Sequence, residues 1–259
     1  MVAAVVVFIF GLMIGSFLNV CIYRMPKNES IVLPASHCPK CRKNIFWYDN
    51  IPVVSYLILS GRCRFCRTRI HWRYPLVEAL TALLLTALFL DFGVTAKFFA
   101  YSVMTCALVV ATFIDFEIQE IPDEISLGGL ILGLFLAFIF PSNLGEAARL
   151  RAVLASLAGA AAGGGSIYIL GVFGKLAFRK EAMGGGDVKL MAMIGSIIGW
   201  KLVLLAFFIA PFLGTVPGII SKIKDGAETI PYGPFLSAAA LISVFFGNNI
   251  LRMLFGGLF

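Results

Sequence analysis

Eight apolar runs punctuate the chain, and no other feature limits its fold so sharply. They lie at 1–23 and at about 74–91, 95–114, 125–141, 150–174, 188–199, 201–220 and 232–251. A helix that crosses a bilayer needs about 20 apolar residues in succession. Eight such helices would use about 160 of the 259 residues and leave about 100 for loops. Only 14% of the residues are charged, against 60% hydrophobic. Soluble domains carry about a quarter charged residues, which excludes a soluble enzyme, a disordered chain and a fibrous one. The expected architecture is an all-α polytopic membrane protein of about eight transmembrane helices. The run at 188–199 is short and flanked by glycine, so its ends are the least defined.

The net charge of +7 reads as membrane orientation rather than nucleic-acid binding, because Lys and Arg accumulate in cytoplasmic loops. A cleavable signal peptide opens on a basic stretch, whereas the first run has no charge before Arg24. It is expected to be a retained helix with its N-terminus outside. That orientation puts 16 of the 21 Lys and Arg on the inner side, ten of them within 24–73.

The 24–73 segment is the longest polar stretch and holds two C-x-x-C pairs, Cys38/Cys41 and Cys63/Cys66, with 21 residues between them. In a reducing compartment such pairs hold a metal more often than a disulfide. Four thiolates at this spacing suit the tetrahedral geometry of structural zinc. Arg62, Arg64, Arg67 and Arg69 surround the second pair and favour ionised sulfur. The segment has too few apolar residues for a core of its own, so a metal staple is expected to hold it together. A thioredoxin-like redox pair is the alternative, but no βαβ pattern surrounds the cysteines. His37 reads as a solvated loop histidine or a replacement ligand, and Cys21 and Cys106 as small hydrophobes. The expected organisation is a first transmembrane helix at 1–23, a cytoplasmic zinc-stapled loop at 24–73 and a catalytic core of seven helices at 74–259.

Charges at the ends of apolar runs are costly, at least ~2.5 kcal/mol within a bilayer, and are candidates for function. Asp115 closes the third run and Asp187 opens the sixth, 72 positions later. The expected topology sets both at the cytoplasmic membrane face. Two carboxylates at one depth on separate helices are what an aspartic protease requires: one ionised to activate water, the other protonated to donate to the scissile carbonyl. Gly184, Gly185 and Gly186 remove side chains just before Asp187, which would let an extended substrate backbone approach. They equally describe a flexible loop ahead of a helix. Five acids, Asp115, Glu117, Glu120, Asp123 and Glu124, fall within ten positions that contain no Lys or Arg. They read either as an attractor for a basic substrate segment or as a solvated loop with Asp123 as a helix N-cap after Pro122. Lys189 and Glu78 look suited to binding near the head groups, and Lys189 equally to pairing with a neighbouring carboxylate.

In order along the chain stand GSFLNVCIYRMP at 15–26, CPKC at 38–41, CRFC at 63–66 and RYPLVEALTAL at 73–83. IDFEIQEIPD at 114–123, EAMGGGDVKLMAMIG at 181–195 and IPYGPFLSAAA at 230–240 follow. This series resembles the bacterial type IV prepilin peptidases (leader peptidase/N-methyltransferase) over essentially the whole chain. The resemblance implies a GxGD-type intramembrane aspartic protease with Asp115 and Asp187 as its catalytic pair. It implies a prepilin or pseudopilin substrate, whose basic leader is cut at the cytoplasmic face of the inner membrane in type IV pilus or type II secretion systems. It also implies methylation of the new N-terminus by S-adenosylmethionine, which the tetracysteine segment accompanies. No glycine-rich βαβ fingerprint is present for that cofactor. Gly15, Asn19 and Arg24, between the first run and the stapled loop, are the candidates to bind it, with close helix packing as the other reading of Gly15. From another class stands a proton-coupled transporter using Asp115 and Asp187 as a relay. Transporters of that kind place acids near mid-bilayer and carry internal repeats, neither of which is evident here.

Overall fold

A computed structural model of the chain describes residues 1–178, 183–225 and 230–256. Among them the regular structure is helical, apart from two isolated bridges, His37 with Asn44 and Arg62 with Arg69. The chain divides into two compact units, Met1–Gly93 and Val94–Phe259.

The first unit is a helix pair with a loop between its members. Helix α1 (Val2–Arg24) and helix α3 (Arg73–Phe92) lie antiparallel. A β-carbon on Gly11 would stand 2.6 Å from Ala82 Cα, and one on Gly15 would stand 2.6 Å from Glu78 Cα. One step further, Asn19 Nδ2 donates to the Tyr74 carbonyl at 3.0 Å. The contacts advance four residues on each helix, the small-xxx-small approach by which membrane helices pack where lipid gives no hydrophobic drive. Between the helices, the 3₁₀ turn Trp47–Asn50 precedes a five-residue helix, α2 (Val54–Ile58).

The second unit contains α4 (Ala96–Ile118), α5 (Asp123–Ile139), α6 (Arg149–Phe178), α7 (Gly185–Asp225) and α8 (Gly233–Phe255). Helix α7 is broken at Gly199, whose φ of 80° and ψ of 168° only glycine adopts readily. Both sides of the break face one residue of α6: a β-carbon on Gly163 would touch the Met191 carbonyl and lie 2.8 Å from Val203 Cγ2. In an unbroken helix those two positions would stand about 18 Å apart, so the chain turns back at Gly199. The first arm packs on α5 and α6, where Gly159 and Gly195 meet backbone to backbone. The second arm runs antiparallel to α8, with Gly218 beside Ile230, Gly214 beside Phe235 and Gly247 beside Leu202.

Six helices among the described residues are long and apolar enough to cross a membrane: α1, α3, α4, α6, α7 and α8. The protein is a multi-pass membrane protein. The expected eight spans divide the same chain more finely. They separate the arms of α7 and include α5, which at 17 residues falls just short of the length of the six. Of the basic residues expected on the inner side, Arg179 and Lys180 lie outside the described residues.

Candidate functional site

Helix α4 ends where Gln119 takes the left-handed conformation, φ 54°, and returns its N–H to the Asp115 carbonyl. That stop puts Asp115 in the last turn of α4, 4% exposed. Its Oδ2 accepts a hydrogen bond of 2.9 Å from the N–H of Gly233, the first residue of α8. A helix N-terminus presents unsatisfied N–H groups, and here one of them is spent on a carboxylate. Gly233 is tightly specified: a β-carbon there would lie 2.8 Å from the same oxygen.

Asp187 is the third residue of α7, and its carboxylate accepts a backbone hydrogen bond from Gly184. This is the reach-back half of a capping box, in which the third helical residue satisfies the N–H at the N-cap. Gly186 fits beneath Ile121, whose Cβ would be 3.1 Å from an added β-carbon, whereas an added carbon on Gly185 meets nothing within 4 Å. The tight approach at the triplet is therefore to the protein's own chain at Gly186, and the open edge is at Gly185.

Asp115 and Asp187 line one cavity of ≈ 320 Å³, together with Gln119, Glu120, Ile121, Asp123, Gly184, Gly185, Gly186 and Lys189. The two carboxylates lie within electrostatic reach of one another. Lys189 Nζ pairs with Asp123 Oδ1 at 2.6 Å across the rim of the cavity. The N-cap of α5 is Pro122 and no side chain caps that helix. Asp123 is thus not the cap that the sequence offered as one reading: its carboxylate is drawn to Lys189 instead. Glu117 and Glu124 are exposed on the neighbouring turns but do not line the cavity. Beyond the residues named from sequence, the structure adds Gly233 and Tyr232, the latter within reach of the Asp187 charge. The signal for them is the Pro-Tyr-Gly-Pro turn that opens the last apolar run.

The tetracysteine loop belongs to the first unit. Each pair forms the same turn: Cys38 N–H bonds to the Lys43 carbonyl and Arg42 N–H to that of Cys38, while Cys63 bonds to Thr68 and Arg67 to Cys63. Arg42 and Arg67 both have φ of 56°. The four Sγ atoms lie within 4.8 Å of one another, and Cys38 Sγ is 3.8 Å from Cys66 Sγ. Zinc–sulfur bonds of about 2.3 Å in a tetrahedron set sulfurs about 3.8 Å apart, so the cluster fits zinc. Backbone N–H groups, Cys66 first and then Phe65, hold the Cys63 thiol down at about 7. Cys66 has the Thr68 N–H, yet desolvation and the bonds it shares with the other thiols push it up to about 11. Arg64 grips Asp49 with two bonds of 2.6 Å and holds that carboxyl below its usual range.

The three positions proposed for S-adenosylmethionine are engaged within the first unit. Gly15 lies against the backbone of α3. Asn19 donates to the carbonyls of Gly15 and Tyr74, and Arg24 to those of Ser30 and Pro34. Of their polar atoms, the buried Asn19 Oδ1 has no hydrogen-bond partner, and no step is assigned to the cofactor on these residues.

A buried carboxylate at the end of one helix thus shares a cavity with another at the start of a Gly-Gly-Gly-Asp helix, and comparison with known proteins gives the family. Residues 9–92 match the bacterial peptidase A24 N-terminal domain, and residues 102–219 match the type IV leader peptidase family. The chain is 40% identical over 223 residues to the prepilin leader peptidase/N-methyltransferase of Myxococcus xanthus, an alignment covering 86% of this chain and 64% of that one. To the protein of the same name from Pseudomonas aeruginosa it is 36% identical over 268 residues, covering 93% and 90%. To that of Neisseria gonorrhoeae it is 34% identical over 265 residues, covering 93% and 89%. No solved structure matches the chain. The chain belongs to the prepilin leader peptidase/N-methyltransferase family.

Proposed function

We propose that this protein is an aspartic endopeptidase of the inner membrane that removes the leader of a prepilin or pseudopilin and N-methylates the product. The observation that carries the peptidase reading is the shared cavity between Asp115 and Asp187, each from a different helix. One carboxylate, ionised, takes a proton from a water held between the pair, and the water oxygen bonds to the scissile carbonyl carbon. The other, protonated, donates to the carbonyl oxygen. Collapse of the tetrahedral intermediate breaks the C–N bond, and the first carboxyl gives its proton to the leaving nitrogen. The second, now ionised, recovers one from a hydroxyl of the intermediate, which leaves the product acid and restores the pair. No covalent enzyme intermediate is involved. The Gly233 N–H anchors one oxygen of Asp115, and Gly185 leaves the edge along which an extended backbone can lie. Glu117, Glu120, Asp123 and Glu124 give this end of the helices an acidic character that attracts a basic substrate segment. Lys189 moderates the charge at Asp123.

The placement of both acids within a turn of a helix end, three positions from the end of α4 and at the third of α7, favours a peptidase over a mid-bilayer proton relay. Cys38, Cys41, Cys63 and Cys66 would hold a zinc ion that cross-links the loop. S-adenosylmethionine would supply an electrophilic methyl group. The excess of Lys and Arg in 24–73 supports a cytoplasmic orientation of the site.

The test is the pair of substitutions Asp115→Asn and Asp187→Asn, assayed by mass spectrometry of a prepilin N-terminus in reconstituted membranes. General acid or base groups contribute about 10²–10⁴-fold, so each variant should lose cleavage by at least that lower factor. Undiminished cleavage in both would refute the assignment.

A further inference from the structure

The stapled loop carries apolar side chains that its own small fold does not bury. Val54, Leu57 and Ile58 stand at i, i+3 and i+4, on one face of α2, and Leu57 and Ile58 are 69% and 73% exposed. Trp47, in the preceding 3₁₀ turn, is 80% exposed, and Ile51 continues the surface. The opposite face of α2 is the one turned inward: Ser55 is buried and donates to the Tyr48 carbonyl at 3.0 Å. This segment is also tied to a membrane helix. The N–H of Val53, the residue before α2, donates to Glu78 Oε2 at 2.7 Å. Glu78 is the sixth residue of α3 and 7% exposed. Five residue steps along a helix amount to about 8 Å, so α2 is fixed close to where α3 enters the apolar phase.

Charge points the same way. Between positions 27 and 69 stand eight Lys and Arg against two acids, Glu29 and Asp49, and Arg64 engages Asp49. Basic residues beside exposed Trp and aliphatic side chains are the pattern of a segment lying in an anionic membrane interface, buried about 5–10 Å into the boundary between head groups and acyl chains.

We propose that the segment Trp47–Ile58 is a membrane-docking element: its apolar face sits in the head-group boundary of the bilayer that α1 and α3 cross, and the Lys and Arg that flank it in sequence, at 40–43 and 62–69, engage anionic lipid. The bilayer is the occupant that continuity supplies, since the loop leaves one membrane helix and returns through another. The loop would then be held by three attachments: the metal, the Glu78 bond and the lipid surface.

The experiment uses the full chain with Trp72→Phe and Trp200→Phe, which leaves Trp47 as the sole tryptophan. The protein is reconstituted into phosphatidylcholine vesicles, with or without phosphatidylglycerol. Lipids brominated high on their acyl chains should quench Trp47, and aqueous acrylamide should not. Replacing Leu57 and Ile58 with Asp should exchange the two responses. Anionic lipid should deepen the bromine quenching, and added salt should weaken it. Quenching of Trp47 by acrylamide without quenching by bromolipid overturns the proposal. Shielding from both quenchers also overturns it, in favour of a surface that receives a protein segment. Equal bromine quenching in the two lipid mixtures overturns its electrostatic half.

Discussion

Gly233 shows how much one hydrogen atom in place of a methyl group can matter. Its N–H holds Asp115 Oδ2, and its missing side chain leaves room for that oxygen. Alanine at 233 would press a carbon to 2.8 Å from Oδ2 and push the carboxylate aside. Misplacing a reacting group by about 1 Å can cost about 10²-fold, so Gly233→Ala should lower kcat by roughly that factor with little change in KM. Steady-state cleavage of a prepilin peptide checks the split. Lys189 and Asp123 form an exposed pair, which contributes about 0.2–1 kcal/mol at most. Lys189→Met should therefore leave thermal stability within that margin. Asp115 and Asp187 are legible in the sequence because a charge at the end of an apolar run is conspicuous by its cost. Gly233 is not, because nothing in a Pro-Tyr-Gly-Pro turn tells which carboxylate, 118 positions upstream, its amide will meet. Gly15 is ambiguous for the same reason: cofactor contact and close packing predict the same glycine until α1 is known to pair with α3.

At the level of elements, the two knuckles and the broken helix make separate predictions. Purified protein should contain about one equivalent of zinc, since four thiolates complete a closed tetrahedral site. Ligands must be deprotonated to bind, so chelator or acidification should remove the metal and raise hydrogen exchange across 36–70. Elemental analysis and exchange mass spectrometry check both halves. The pairs are legible from spacing alone, because C-x-x-C brings two sulfurs onto one turn whatever the rest of the chain does. At Gly199, φ of 80° with ψ of 168° is open to glycine and costs other residues about 1–3 kcal/mol. Gly199→Ala should destabilise the protein by about that amount, measured by thermal unfolding in detergent. The sequence marks this break as a gap between two apolar runs, 188–199 and 201–220, which part at Trp200 directly after Gly199. It marks α5 as the run at 125–141, a helix whose 17 residues sit at the lower margin of the length that crosses a bilayer.

For the whole molecule, the distribution of Lys and Arg sets an orientation that can be tested directly. Alkaline phosphatase folds only when exported, so fusions after Gly145 should be active and fusions after Gln119 inactive. The reverse pattern would turn the cavity of Asp115 and Asp187 to the outside. Composition alone reveals a membrane protein, because half the usual charge cannot cover a soluble surface. The arrangement of its helices is less legible, since apolar runs of similar length carry no record of their neighbours. The glycines at 11, 15, 159, 163 and 195 record close approaches, but a missing side chain does not name the backbone that will fill its place.

The break at Gly199 has a consequence for the surrounding lipid. The arm that carries Asp187, from Gly185 to Ile198, spans only about 21 Å at 1.5 Å per residue. A hydrocarbon slab is about 30 Å deep, and Trp200 with Lys201, residues that favour the water boundary, follow at once. Beside this short strut the acyl chains must compress or the polar surface must dip to meet it. The sheet of lipid should therefore be thinned beside this arm, on the side remote from Asp115 and Asp187.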